Sequence, residues 1–389
     1  MLKVSRKPLA FFMTHSFCFY IAILLLNSQP NLLQMSKFNS LQVADVVRET
    51  PDAVSVAFTV PEQFKSDYTF KQGQYLTLKF KINGEELRRS YSICSSYYEN
   101  ELRVAVKKVK DGRVSTHIFN TLKKGDTIEV MTPMGNFFTE MNAANKKTYV
   151  LFAGGSGITP MFSILKTVLK DEPQSRIILF YGNNDEASVI FKRKIEEFAV
   201  ANADRLNVIH ILNDAPAGHP ELLKGMMTKE KNIQLIKNYV DTNANNEYFI
   251  CGPGVMMDNV VAALKELKTD ESKVHIEYFS SPVNAEDVKP SAAVAKGAVA
   301  TIIIDGEEHK IELQENEAIL EAALRVGLDA PYACQGGSCC TCRALLQDGK
   351  VEMAVNYALS ASEVKQGFIL TCQSRPTTST VVVNYDKGL

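Results

Sequence analysis

The sequence predicts three folded units in series: a small antiparallel β-barrel, a doubly wound α/β unit and a compact α+β unit. Three observations support this order. Short strand patterns punctuated by glycines fill residues 41–139, strands and helices alternate from about Lys146, and a stretch rich in Pro, Ala and Lys precedes residues 298–389. A chain of 389 residues is also too long for one hydrophobic core, so several domains are expected.

The first unit has the pattern of a barrel. Residues 54–60, 75–82 and 102–109 are apolar or alternating runs typical of strands, and glycines between them mark turns. Residues 119–122 are expected to lie in the only helix of this unit.

The second unit alternates between strand-like and helix-like patterns of apolar residues. Strands are predicted at 149–153, 177–181, 206–212, 248–251 and 274–279, and helices at 160–169, 190–201, 233–240 and 255–267. This alternation indicates a parallel sheet with helices on both faces. We place the three domains at 36–142, 143–281 and 298–389, with 282–297 as a linker.

Composition gives no support to a nucleic-acid or broad membrane-binding function, although local charge patches stay possible. The chain is 46% hydrophobic and 22% charged, with a net charge of −1, which is typical of a globular protein. A near-neutral chain gives no reason to expect a nucleic-acid partner or a broad membrane-binding surface.

Four of the eight cysteines lie between residues 334 and 342. Cys334, Cys339 and Cys342 have the C-x4-C-x2-C spacing of plant-type 2Fe–2S sites, and Cys372 supplies a distant fourth ligand. Adjacent glycines at 336 and 337 allow the loop to approach a cluster closely. The sequence therefore predicts a 2Fe–2S cluster on these four thiolates.

Two alternatives to the cluster remain at this stage. Zinc sites usually combine two C-x2-C pairs, and this loop has one. The cysteines could also be buried and inert. Cys340 is a fifth thiol inside the loop, and by register it is a bystander that could substitute for a ligand or be oxidised.

Residues 298–389 resemble a plant-type ferredoxin domain with a β-grasp fold. Residues 356–359, 363–364 and 370–376 resemble the reductase-subunit family of phenylacetyl-CoA epoxidase systems, in which flavin, nucleotide and ferredoxin modules follow one another. This order covers residues 41–389. The family usually has a small residue where Cys340 stands.

The segment Arg89-Ser90-Tyr91-Ser92 matches the R-x-Y-S motif of the ferredoxin–NADP reductase superfamily. Arg89 can neutralise the FAD pyrophosphate, Tyr91 can pack on the isoalloxazine ring, and Ser92 can hydrogen-bond flavin N5. The resemblance also implies that Val106 and Lys107 run beside the cofactor with backbone contacts.

A second FAD contact is predicted where Gly112, Ser115 and Thr116 precede the expected helix. Backbone amides at a helix N-terminus bind phosphate, and the two hydroxyls add donors. The resemblance places the FAD pyrophosphate here.

A nicotinamide site is predicted at a glycine-rich turn between a strand and a helix. Its candidate residues are Gly154, Gly155, Ser156, Gly157 and Thr159. The turn departs from G-x-G-x-x-G, and it resembles the glycine motif of the reductase superfamily rather than the dehydrogenase fingerprint. The alternative is an ordinary tight turn.

The strand that ends in Cys251-Gly252-Pro253 should lie at the same edge of the sheet. The resemblance places Cys251 near nicotinamide C4, and Glu277 and Phe279 near the flavin edge. We therefore expect Ser92, Cys251 and Glu277 to act in catalysis, with Glu277 relaying a proton. Glu277 could equally be a solvated strand residue.

The coenzyme is NADPH or NADH. The chain has Asn213-Asp214 where NADPH-preferring relatives often carry Ser-Arg, and it has Asn184 where they often carry arginine. Asp214 favours NADH as a ribose ligand, whereas Lys192 and Arg193 remain candidates for a 2′-phosphate.

The resemblance implies that electrons pass from NAD(P)H through FAD and the 2Fe–2S cluster to an oxygenase. The best-matched acceptor is the di-iron component of phenylacetyl-CoA epoxidase. Another oxygenase or a fatty-acid desaturase is the alternative, and an iron–sulfur redox sensor is an alternative of another class.

Residues 9–26 form an apolar run after Lys3, Arg6 and Lys7. Three interpretations are open: a marginal membrane anchor, a signal peptide without an evident cleavage site, or an untranslated extension with Met35 as the first residue. We favour the last, so a membrane contact is expected only if residues 1–35 are translated and retained. Because NAD(P)H and reduced thiolates belong to the cytosol, we expect a cytoplasmic location.

Overall fold

The first module is an antiparallel sheet of six strands that curls into a barrel. In a computed structural model, residues 38–279, 295 and 297–388 are described. The strands are β1 (Phe38–Thr50), β2 (Ala53–Thr59), β3 (Tyr75–Ile82), β4 (Glu85–Ser92), β5 (Leu102–Lys107) and β6 (Thr127–Met131), in the order β4-β3-β6-β1-β2-β5. Alternate residues such as Val54 and Val56 fill its core, where helix α1 (Arg113–Thr121) also packs.

The second module is a five-stranded parallel sheet. Its strands are β7 (Thr148–Gly154), β8 (Arg176–Asn183), β9 (Leu206–Leu212), β10 (Asn246–Cys251) and β11 (Val274–Glu277), in the order β11-β10-β7-β8-β9. The helices are α2 (Ile158–Asp171), α3 (Lys192–Ala201), α4 (Lys229–Tyr239) and α5 (Gly254–Glu266). The strand order reverses between β7 and β10, and ligands of such sheets bind at this switch point.

The third module is a small mixed sheet with two short helices. Its strands are β12 (Val299–Ile304), β13 (Glu307–Glu312), β14 (Arg343–Asp348), β15 (Val351–Met353), β16 (Phe368–Leu370), β17 (Ser374–Pro376) and β18 (Thr380–Asn384). The main sheet has the order β13-β12-β18-β14-β16, and β15 pairs with β17. The helices are α6 (Ile319–Arg325) and α7 (Ala361–Lys365). The cysteine loop lies between α6 and β14.

The predicted fold class is confirmed in all three modules, and the element bounds differ in two instructive places. Helix α1 starts at Arg113, well before the predicted residues 119–122, because Gly112 serves as its N-cap. Helix α3 starts at Lys192 because Phe191, with φ of 62°, interrupts the helical pattern that begins at residue 190.

The described residues, from Phe38 onward, belong to one compact unit. The predictions for residues 1–35 and for most of the linker at 282–297 lie outside the described residues. In the part of the chain that is described, we find no helix that is both long and apolar enough to cross a bilayer. The exact domain boundaries stay a prediction.

Candidate electron-transfer site

A small cavity of about 70 Å³ is lined by all three modules. The barrel contributes the end of β4, the parallel sheet contributes the end of β11, and the third module contributes its cysteine loop. The lining residues are Tyr75, Arg89, Ser90, Ser92, Glu277, Tyr278, Phe279, Cys334, Ser338 and Cys339. The R-x-Y-S motif and two of the predicted metal ligands therefore face the same space.

The register of one hairpin places Ser92 in this cavity. Asn83 and Gly84 join β3 to β4 with positive φ at both residues, which is typical of a two-residue type I′ turn. This register puts Tyr75 directly opposite Ser92. Buried Ser92 then donates a hydrogen bond of 3.0 Å from Oγ to Oε2 of Glu277. The barrel and the last strand of the parallel sheet thus meet at this bond.

The three residues predicted to act in catalysis lie together. Burial raises the pKa of Glu277 to about 8, and the hydrogen bond from Ser92 lowers it by a smaller amount. Cys251 is the parallel-sheet neighbour of Glu277, it is fully buried, and burial raises the pKa of its thiol. A carboxyl group that is mostly neutral at pH 7 can hold a proton next to Ser92.

The predicted FAD contacts line two edges of the barrel. The exposed Arg89 donates from Nη1 to the carbonyl of Arg88 at 2.7 Å, so its guanidinium keeps further donors. No side chain caps the N-terminus of α1, and Ser115 lies in its first turn with Oγ 3.3 Å from the Gly112 carbonyl. Free amides at a helix start suit a phosphate group. The FAD contacts expected for Tyr91, Val106 and Thr116 stay predictions.

Two glycine turns meet at the switch point of the parallel sheet. Ala153 and Cys251 are register partners on β7 and β10, so the turns that follow them lie side by side. A Cβ added to Gly157 would lie 2.1 Å from the Cys251 carbonyl oxygen. One added to Gly154 would lie 2.6 Å from Pro253 Cδ. The two turns can approach this closely because Gly154 and Gly157 carry a hydrogen atom where other residues have a Cβ.

Beside these turns lies a cavity of about 250 Å³. It is lined by Lys107, Gly154, Gly155, Gly182, Asn183, Asn184, Ile211, Asn213, Gly225, Met226, Met227, Pro253, Val255, Met256 and Asn259. Its position beyond the carboxyl ends of the strands and its glycine-lined wall fit a dinucleotide. Next to this cavity, Gly252 packs against the amide nitrogen of Gly154.

The same cavity shows where the Lys107 side chain points. The sequence predicts only a backbone contact with FAD, but Nζ of Lys107 would lie 3.9 Å from a Cβ added to Gly155. Nζ also lies 3.4 Å from a carboxylate oxygen of Asp52. Lys107 therefore brings a positive charge from the barrel to the nucleotide cavity.

The four predicted metal ligands form two pairs of thiols. Cys334 and Cys339 are neighbours that shift each other's pKa, and so are Cys342 and Cys372. Among the described residues, no set of three or more His, Cys, Asp or Glu side chains converges on one point. A 2Fe–2S cluster takes four cysteine thiolates, and Cys334, Cys339, Cys342 and Cys372 supply four. This donor set fits a 2Fe–2S cluster.

The surrounding loop is shaped for sulfur. The Gly336 amide donates to Cys334 Sγ at 3.4 Å, and Gln373 Nε2 donates to Cys372 Sγ at 3.6 Å. The hydrogen bond from Cys339, followed by those of nearby amides, lowers the pKa of Cys334 to about 6 against the effect of burial. Gly337 has φ of 75°, where a side chain would be strained. Thiolates are the form that binds iron.

Cys340 faces away from the two pairs. Its thiol donates to the Ala358 carbonyl at 3.6 Å and lies 3.9 Å from Asn136 Nδ2 of the barrel. This geometry is compatible with the predicted bystander role.

The site residues missed from sequence include Tyr75 and Ser338. Tyr75 hydrogen-bonds Thr341 at 3.1 Å and packs on Cys339 and Ala333, so it connects β3 to the cysteine loop. Ser338 is buried, and its hydroxyl has no hydrogen-bond partner among the described residues. The Asn83-Gly84 turn was the available signal for Tyr75, because it fixes the partner of Ser92.

Comparisons with known families agree with this architecture. The description "Oxidoreductase FAD-binding domain" matches residues 40–139, "Oxidoreductase NAD-binding domain" matches 151–262, and "2Fe-2S iron-sulfur cluster binding domain" matches 302–377. These three domains define a modular electron-transfer oxidoreductase that uses FAD, a nicotinamide coenzyme and a 2Fe–2S cluster.

The chain belongs to the family of oxygenase reductase components that includes one of the subunits of 1,2-phenylacetyl-CoA epoxidase. It is 41% identical to that protein from Escherichia coli K12, over 91% of this chain and all of the relative. It is 37% identical to the ferredoxin reductase component of 3-ketosteroid-9-alpha-monooxygenase from Mycobacterium tuberculosis, over 89% of this chain and 96% of the relative.

Solved structures share the fold. Phthalate dioxygenase reductase superimposes with a TM-score of 0.55 at 24% identity, over 89% of this chain and 98% of that one. An intact type IV self-sufficient cytochrome P450 monooxygenase superimposes with a TM-score of 0.66 at 19% identity, over 94% of this chain and 44% of that one.

Proposed function

We propose that the chain supplies electrons from NAD(P)H to the di-iron oxygenase component of a phenylacetyl-CoA epoxidase. The observation that carries the reductase part is the cavity in which Ser92 and Glu277 face Cys334 and Cys339. When bound, FAD takes up a hydride and gives up its electrons singly, and the cluster carries one electron at a time. The remaining task of the protein is to hold these groups close together.

The residues of the chain divide this task. Arg89 and the first turn of α1 are expected to bind the FAD pyrophosphate, and Tyr91 to cover the ring. Ser92 would orient flavin N5, and Glu277, to which Ser92 donates a hydrogen bond, would hold a proton beside it. The close contact between the turns at Gly157 and Cys251 positions the nicotinamide.

The choice of acceptor rests on the relatives. The 41%-identical relative is named as a subunit of phenylacetyl-CoA epoxidase, and its whole length is covered. Another relative, at 37% identity, is named as a reductase of a ketosteroid monooxygenase, so a different oxygenase is the second candidate.

The cluster assignment is tested by replacing one thiol at a time. We expect Cys339→Ser to remove the visible absorbance of the cluster and acid-labile sulfide, while NAD(P)H-dependent ferricyanide reduction through the flavin changes less than about twofold. Cys340→Ser is the matched control, because Cys340 is adjacent and equally buried but points elsewhere. A Cys340 variant without a cluster, beside a Cys339 variant that keeps one, would contradict the ligand set.

The acceptor is tested by reconstitution. We expect the purified chain with NADH or NADPH to support epoxidation by a phenylacetyl-CoA epoxidase oxygenase component, and the Cys339→Ser variant to fail. Good ferricyanide reduction without any epoxidation would overturn the acceptor while leaving the reductase chemistry in place.

A further inference from the structure

The ferredoxin module contacts the flavin barrel through polar side chains that are distant in sequence. The polar contacts that cross this interface between described residues include Arg88 to Asp329 at 2.7 Å, Tyr75 to Thr341 at 3.1 Å, and Asn136 to Glu363 at 2.7 Å. The first joins two charged groups, and its partners are 241 residues apart. Contacts of this kind hold a module in one orientation because each has directional geometry.

Arg88 is the most enclosed charged group of the interface, with a side chain only 5% exposed. It lies on β4 next to Arg89. Its guanidinium donates to Glu86 of the same hairpin at 2.8 Å and to Asp329 of the ferredoxin module at 2.7 Å. The Tyr332 ring stacks over it, with 4.3 Å between the guanidinium carbon and the ring centroid.

The position of this contact connects the two redox motifs. Asp329 and Tyr332 shortly precede Cys334, the first residue of the thiol set, and Arg88 directly precedes the R-x-Y-S motif. The ion pair therefore fixes the cysteine loop to the strand that ends in Ser92. Electron transfer slows exponentially with distance, so a loop that leaves this strand slows the flavin-to-cluster step.

We propose that Asp329 is a positioning residue that seats the cysteine loop against the flavin motif through its ion pair with Arg88. This inference rests on the proposed reductase function. Glu86 offers the internal comparison, since it binds the same guanidinium from within the barrel and crosses no interface.

The experiment compares Asp329→Asn with Glu86→Gln in the full-length holoprotein. We expect Asp329→Asn to slow cytochrome c reduction about tenfold, with ferricyanide reduction within about twofold of the parent. Glu86→Gln should leave both rates within about twofold. Asp329→Glu, which keeps the carboxylate, should recover most of the lost rate. The Cys339→Ser variant calibrates which rate depends on the cluster.

A second readout follows the docking itself. Hydrogen–deuterium exchange of peptides spanning residues 329–343 should be about tenfold faster in Asp329→Asn and unchanged in Glu86→Gln. Raising salt should reproduce part of this effect in the parent protein, because one partner of the pair is exposed to solvent.

Three outcomes would overturn the inference. The first is an Asp329→Asn variant that matches the parent in both rates and in hydrogen exchange. The second is a loss of both rates in both variants, which would mean that Arg88 only supports the fold, and the third is an Asp329→Glu variant that is as slow as Asp329→Asn. A parent protein that reduces neither acceptor would instead overturn the proposed function.

Discussion

A nucleotide turn can require glycine for its backbone conformation or for lack of space, and Gly157 shows which of these applies here. Its φ of −60° is ordinary for any residue, so backbone freedom does not require glycine there. Space does, because an added Cβ would lie 2.1 Å from the Cys251 carbonyl oxygen and 2.8 Å from the Gly252 amide. For Gly157→Ala, the seam between the two turns must therefore open by about 1 Å, at an overpacking cost of about 3 kcal/mol.

The effect should appear where the nicotinamide binds. A displacement of about 1 Å is enough to lower kcat/KM for NAD(P)H about a hundredfold. Anaerobic stopped-flow reduction of the flavin measures this step, and the cluster spectrum reports that the ferredoxin module is intact. Gly218→Ala is the matched control, because φ of 85° makes Gly218 a strained position with room for a Cβ outside the cavity, and it should cost about 1–2 kcal/mol of stability.

The reasoning fails if Gly157→Ala reduces its flavin at the parent rate with an unchanged melting temperature. It also fails if Gly218→Ala impairs flavin reduction more strongly than Gly157→Ala does. Either result would mean that the close approach of the two turns is dispensable.

Two further predictions concern charge. Burial raises the pKa of Glu247, but hydrogen bonds from His275 and Lys147 outweigh it and hold the pKa at about 2. This stabilisation is present above pH 4.5 and is lost as pH falls toward 2, so Glu247→Gln should remove about 2–3 kcal/mol of acid-dependent stability in urea melts. Lys107→Met should raise the Kd for NAD(P)H about tenfold and flatten its salt dependence in titrations; an unchanged Kd would refute its role at the cavity.

Much of the site could be predicted because its chemistry is local in sequence. The thiol spacing, the R-x-Y-S motif and the glycine turns are short, and each predicts its own ligand type. The turn at Asn83 and Gly84 would also have given the pairing of Tyr75 with Ser92. Sequence periodicity likewise found every strand of the parallel sheet, since buried parallel strands are continuous apolar runs.

What could not be predicted depends on how the modules meet. The contact between Arg88 and Asp329 arises only after two independent folds have docked, and no periodicity encodes it. The resemblance implied only a backbone contact for Lys107, and the direction of its side chain became evident only from the neighbouring module. The start of α3 was missed for a local reason, since a positive φ at Phe191 is rare for an aromatic residue.

The pairing of the thiols affects how the apoprotein must be handled. Cys334 interacts with Cys339, and Cys342 interacts with Cys372, so oxidation of the apoprotein would join these neighbouring thiols first. In air, with dioxygen accepting the electrons and protons, the metal-free protein would form two disulfide bonds. Rebuilding the cluster then requires a thiol reductant before iron and sulfide are added.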